Sequence, residues 1–270
     1  MDFTFTIYKQ LLLTLQMQDF LFITVSELFE KVYGSIYHSP DIYQNKFIIL
    51  RHDVEARYEN ALRMALIEHD LGISASYYFR FSNKFSNEVL IGEVASLGHE
   101  IGYHYDDLSA CRGNHEKAME RFQANLAYLR QFAPVTTITM EGAPLSRFDN
   151  RDLWKSYDYR KLGIVAEPYF DMGFNKIFYL TDTGRRWDGH LYNVRDKATA
   201  DNPITNPEFL RLRFHSTADI IQAVGDGNFP KQAMLNFHPQ RWNSNPLPWL
   251  KELVWQNIKN QVKRVIVKMR

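Results

Sequence analysis

The sequence predicts an α/β protein of the (β/α)-barrel type, close to the TIM arrangement. Three observations carry that expectation. Short apolar runs rich in β-branched and aromatic residues alternate with segments of helical period, the pattern of βα units around a parallel sheet. Polar residues recur at the C-terminal ends of those runs, where barrels place their functional groups. A long, polar, aromatic-rich passage at about 143–206 is too irregular to be connection alone, and in a barrel such an excursion covers the mouth.

Taken in order, the N-terminal "LLLTLQMQDFLFITV" is apolar but too short and too interrupted by Gln and Asp to span a bilayer, and reads as a packed helix followed by a strand. Eight strand candidates follow: "FIIL" (47–50), "ASYYFRF" (75–81), "HEIGYHY" (99–105), "TTITM" (136–140), "GIVAEPY" (163–169), "IFYLT" (177–181), "FLRLRF" (209–214) and "AMLNFH" (233–238). Between them, Arg57 to Asp70 carries Ala61, Leu62 and Ala65 at helical spacing, and Glu88 to Leu97, His115 to Arg130, Ser216 to Val224 and Leu247 to Lys259 repeat the pattern. Gly72 and Gly98 have the position of helix C-caps. No Gly/Ser linker, charge block or internal repeat divides the chain, so residues 1–270 are expected to form a single domain.

Composition narrows the setting. With 270 residues, 45% of them apolar and 14% aromatic, the chain can bury a large core. Lys plus Arg (32) nearly cancel Asp plus Glu (31), which gives no net field for nucleic acid or an anionic membrane as the main partner. The single Cys111 forms no internal disulfide and has no basic helper, so it is expected to be inert. The N-terminus lacks the order of a signal peptide, and the cytoplasm is the expected compartment.

The stretch "ILRHDVE" (49–55) ends an apolar strand in a histidine and two acids. An interior strand normally ends in turn chemistry, so these groups are expected to serve a site. Asp53 and Glu55 are two apart and leave the same face if the strand persists. Other strand ends add Arg80, His104 with Asp106 and Asp107, Glu141, Asp182 and His238. Imidazole and carboxylate without thiolate suit a divalent ion with an open water position.

The order "ILRHDVE", "ASYYFR", "SLGHEIGYHYDDL", "MEGAPLS", "YLTDTGRRWDG" and "MLNFHPQRW" resembles the polysaccharide deacetylases, the NodB homology group of carbohydrate esterase family 4, over nearly the whole chain. The resemblance implies a distorted (β/α) barrel, often seven-stranded, that removes an acetyl group from an N-acetylated sugar with one metal ion. It further implies Asp53 as catalytic base, Glu55 as acidic metal ligand, His104 as first histidine ligand and His238 as the acid that protonates the leaving amine. Pro144 and the chain after Glu141 resemble the segment lining the family's groove, and Trp187 and Trp242 are candidates for stacking on a sugar ring. Arg80, Glu141 and Asp182 are further candidates for substrate contact.

Two positions depart from the family pattern. Leu108 stands where a second histidine ligand is usual, and Asp107 or Asp106 is the expected substitute. That exchange moves the site from zinc, the first expectation, toward manganese, cobalt or magnesium, or toward no metal at all. Glu55 replaces the usual Asp, displacing the carboxylate by about 1.5 Å. "GHEIGYHY" followed by acids and "DTGRRWDG" is similar to a branch associated with surface-polysaccharide gene clusters. Three functions follow: a metal-dependent deacetylase of an N-acetylated sugar or saccharide precursor, an inactive deacetylase-fold protein binding a saccharide or assembly partner, and a metallohydrolase of a small non-sugar amide.

Structural readings stand beside these. His99 is expected to be a hydrogen-bonded core histidine, and His52 is open between structure and function. Asp182 and Asp188 are expected to pair with Arg185 and Arg186 in a turn, and His215 to lie beside a helix N-cap at Ser216 or Thr217.

Overall fold

The computed structural model describes residues 1–33, 40–81, 88–143, 146–188 and 204–269. Helix α1 (Phe5–Met17) and the short strand β1 (Leu21–Phe22) come first, then α2 (Val25–Tyr33) and β2 (Phe47–Val54). Next come α3 (Tyr58–Asp70), β3 (Ser76–Phe79), α4 (Glu88–Ser96), β4 (Glu100–Tyr105), α5 (Asp107–Ala110), α6 (His115–Leu129) and β5 (Ile138–Met140). The chain continues through α7 (Pro168–Asp171), β6 (Phe178–Thr181), α8 (Pro207–Arg211), α9 (Thr217–Gly225), β7 (Gln232–Phe237) and α10 (Pro246–Met269).

The strands form one seven-stranded sheet in the order β5-β4-β3-β2-β7-β6, with β1 beside β2. All of its pairings are parallel. Helices cover this curled half-barrel, a distorted (β/α) barrel, as the sequence predicts. Central β2 is buried along its whole length, and Ile48, Ile49 and Leu50 are fully enclosed. Its first half, "FIIL", is a continuous apolar run because both faces are covered.

Strand alternation sorts the polar residues. Register pairs Arg51 with Asn236 and Asp53 with Tyr78 on one face, and His52 with both Tyr77 and Phe237 on the other. On the first face Tyr78 lies across Gly102, where a Cβ would meet its ring at 2.3 Å, so that position accepts only glycine without movement. On the second face Glu68 of α3 is fully buried and gathers Tyr8, Tyr77 (2.7 Å) and His52 Nε2 (2.7 Å) from α1, β3 and β2. His52 is thus structural, stacked on Tyr77 at 4.2 Å. His99 is the expected core histidine: Nδ1 accepts from the Ala75 N–H and Nε2 donates to the Ala65 carbonyl.

Two strand expectations are corrected. "GIVAEPY" contributes only an isolated bridge between Thr137 and Ala166, because Pro168 begins helix α7 under an N-cap from Glu167. "FLRLRF" is helical over its first part: Asn206 caps α8 and Pro207 stands at its first position. Gly72 and Gly98 take φ of +68° and +87°, the left-handed conformation that ends a helix. Ser216 caps α9 in a reciprocal box with Asp219.

Candidate metal and active site

The groups converge at the C-terminal ends of β2, β4, β5 and β7 and in the chain just beyond β6. Ligand atoms of Glu55, His104 and Glu141 all lie within 4.8 Å of one another. His104 Nδ1 lies 3.0 Å from the Thr139 hydroxyl and 3.2 Å from its carbonyl, and a neutral ring that donates to the carbonyl turns its Nε2 lone pair toward Glu141. Nε2 faces Glu141 Oε2 at 3.2 Å. Glu141 is held by the Ala143 N–H on Oε1, while its buried Oε2 has no hydrogen-bond partner of acceptable geometry. Two lone pairs that face each other in a buried site require a proton or a cation among them.

Without an ion, a proton takes that place. Burial alone would lower the His104 pKa, but the surrounding carboxylates Asp53, Glu141 and Glu55 outweigh it and raise the group to about 9. Glu141 is pushed up by burial, yet His104 and Arg80 hold it well below the ordinary carboxylate range. Glu55 goes the other way: burial and then the Glu141 charge raise it. One imidazole and two carboxylates form a donor set that a divalent cation fits.

Asp53 and Arg51 form a second unit on the same face of β2. Arg51 is fully buried and grips both carboxylate oxygens, at 2.9 and 2.8 Å, while Asn236 donates to Oδ2 at 2.8 Å. The guanidinium lies 5.0 Å from the Tyr169 ring centroid. Burial raises the Asp53 pKa, but Arg51, then His104 and His238, lower it further, so Asp53 is ionised below its ordinary range.

His238, just past β7, forms the third unit. Its Nδ1 donates to Asp182 Oδ1 at 2.6 Å, and its backbone N–H donates to Oδ2 at 3.0 Å. Arg241 and Trp242 Nε1 complete the shell of Asp182, each at 2.7 Å. Burial pushes the Asp182 pKa up, and His238 and Arg241 bring it below the usual value. The other ring nitrogen, Nε2, lies 3.6 Å from Glu55 Oε1 and so faces the cluster.

Several sequence expectations need correction. Asp107 is not among the clustered donors. It shares the helix-layer side with Tyr103, and its oxygens accept from Tyr103 (2.8 Å), Arg121 (2.6 Å) and Asn125 (3.3 Å). Asp106 pairs with Arg80 and Arg121. Arg80, partly exposed, also lies 3.8 Å from Glu141. Trp187 and Trp242 are not ring platforms: both are buried, and their indole N–H groups are committed to Thr217 and Asp182. Both oxygens of Asp182 are occupied, so it orients His238 where substrate contact was expected. The pairing of Asp182 with Arg185 does not form through their side chains; Arg186 pairs with Asp188 at 2.8 Å as expected. Pro144 lies outside the described residues. Sequence reading missed Arg51 as partner of Asp53 although alternation puts the two on one face, and missed Asn236, which only the β2–β7 register brings near.

No protein-family model matches the sequence, and no curated protein matches it. Similar solved structures exist at low identity. One is a variant, with restored enzymatic activity, of a carbohydrate esterase family 4 pseudoenzyme from Bacillus anthracis: 10% identity over 81% of this chain and 64% of that chain, TM-score 0.44. Another is the catalytic domain of a peptidoglycan N-acetylglucosamine deacetylase from Eubacterium rectale: 15% identity over 79% of this chain and 85% of that chain, TM-score 0.44. A third is a family 4 esterase from Streptococcus mutans: 14% identity over 88% of this chain and 91% of that chain, TM-score 0.43. The chain spans less than two thirds of the length of the first of these. At such identities the likeness concerns the chain trace alone.

Proposed function

We propose that this chain is a metal-dependent hydrolase that removes an acetyl group from the amide nitrogen of an N-acetylated sugar or saccharide precursor. The observation that carries the reading is the meeting of the Glu55, His104 and Glu141 donor atoms within 4.8 Å, flanked by Asp53 and by a His238 whose free nitrogen faces the cluster. The motif order of the sequence supports the choice of substrate.

Glu55, His104 and Glu141 would hold the ion. A bound divalent cation lowers the pKa of a water and polarises an acyl oxygen. Two oxygen donors beside one imidazole favour manganese more than a two-histidine set would.

The side chains divide the proton work. Asp53, kept ionised by Arg51, accepts the proton of the attacking water. His238, with its Nδ1 proton anchored on Asp182, directs Nε2 toward the cluster and gives a proton to the amine as the carbon–nitrogen bond breaks. Acetate and a free amine leave. His104 keeps its Nε2 lone pair toward Glu141 because Thr139 holds Nδ1, the usual support of a ligating imidazole.

The test combines metal analysis with acetate release from N-acetylglucosamine oligomers and nucleotide-linked N-acetyl sugars. One ion per chain and turnover of at least one substrate, both lost in His104→Ala, are expected. Full turnover in Asp53→Asn would remove the assignment.

A further inference from the structure

Helix α10 is packed with its polarity reversed. The side toward the protein carries Glu252, Gln256 and Asn260, all buried and spaced four apart. Glu252 accepts from Gln256 at 2.8 Å and pairs with Arg57 at 3.1 Å, and Asn260 donates to the Gly184 carbonyl at 2.9 Å. Arg185 adds a bond to the Trp249 carbonyl at 2.9 Å and stacks over the Trp249 ring at 4.4 Å. The outward side presents Leu247, Leu250, Val254, Trp255 and Ile258, each more than half exposed. An ordinary surface helix does the opposite.

Charge is segregated in the same element. Residues 246–270 hold six bases and one acid, a charge of +5, in a chain whose total is +1, so the remainder carries −4. The one acid is the buried Glu252, already paired with Arg57. Lys251 lies within the apolar stripe, one turn from both Leu247 and Trp255, and Lys259 lies at its edge with its ammonium 5.1 Å from the Trp255 ring centroid. Among the described residues the outward side of α10 therefore offers apolar surface and positive charge with no exposed acid.

We propose that α10 docks on an anionic lipid surface, lying in its plane with the Leu247–Ile258 stripe inserted and the lysines on the headgroups. Exposed aliphatic and indole side chains flanked by lysine are what an interfacial helix needs. A second copy of the chain fits less well, because apposing two such stripes brings like charges together with no acid to pair them. This inference is independent of the hydrolytic reading.

The test is flotation of the full chain with vesicles of phosphatidylcholine alone and of equimolar phosphatidylcholine and phosphatidylglycerol. Binding to the anionic vesicles only, weakened by salt, is expected. The double variant Lys251→Ala, Lys259→Ala should bind roughly thirtyfold more weakly, each basic residue near an anionic surface being worth about a factor of five. Trp255→Ser should bind less while its circular dichroism stays that of the parent. Equal binding to neutral vesicles, or none to either, would overturn the proposal. So would a dimer that light scattering shows to dissociate on Val254→Asp, since the stripe would then face a second copy.

Discussion

Asp182 holds the His238 imidazole by Nδ1 at 2.6 Å and the His238 main chain by its N–H at 3.0 Å, so one carboxylate fixes both the tautomer and the placement of the ring. If His238 is the proton donor, Asp182→Asn should lower kcat by about a hundredfold to ten-thousandfold. His238→Gln should lose a similar amount, and the double variant should be little worse than either, because groups acting as a unit do not add. Additive losses in steady-state kinetics would separate the two residues.

From the sequence, Asp107 is the expected third donor and Glu141 a substrate contact, whereas the donor cluster contains Glu141 and not Asp107. Glu141→Ala should weaken metal binding by at least about a hundredfold, more than removal of an outer partner costs. Asp107→Asn should leave the bound ion in place, since its oxygens serve Tyr103, Arg121 and Asn125. Elemental analysis of both purified variants checks this directly.

The raised pKa of His104, about 9, makes the ion-free protein sensitive to alkali. A base with a folded pKa above its unfolded value, about 6.5, contributes stability fully below that value and loses it as pH rises through the folded one. The ion-free protein should therefore melt at lower temperature as pH goes from about 6.5 to about 9. Metal affinity should rise over the same interval, with about one proton released per ion by calorimetry in buffers of different ionisation heat. In His104→Gln both trends should be absent.

Glu68 ties α1, β2 and β3 to α3 beneath the sheet, through Tyr8, His52 and Tyr77. Glu68→Ala strands three buried polar partners and should cost about 3–5 kcal/mol, the range for breaking a buried pair from one side. Urea denaturation measures the loss. Metal content of the folded fraction should not change.

Most strands and helices were legible because periodicity and capping are local signals: β2 announces itself in "FIIL", α9 in Ser216 with Asp219. "GIVAEPY" and "FLRLRF" misled because a short apolar run does not by itself separate strand from helix or loop, and Leu and Arg are good helix formers; Pro168 and Pro207 are first-turn residues of helices. Asp53, Glu55, His104 and His238 could be picked out from their places at strand ends. That Glu141 joins the donor cluster could not, because it depends on the way the chain turns after Met140 at the end of β5. Trp187 and Trp242 show the same limit, since an indole's burial is set by tertiary packing. The near-zero net charge also concealed the basic character of α10.

Arg51 is fully enclosed beneath Asp53. A guanidinium cannot shed its proton, so a neutral residue at 53 would take from a sealed, permanent cation the carboxylate that it grips through two hydrogen bonds. The two residues are consequently inherited as a pair: a chain of this fold without hydrolytic activity would still be held to Asp53 unless Arg51 changed with it. "RHDVE" in a sequence is thus a record of folding constraint as well as of chemistry. Activity has to be read from the neighbours that stability does not protect, of which Glu55 is the nearest.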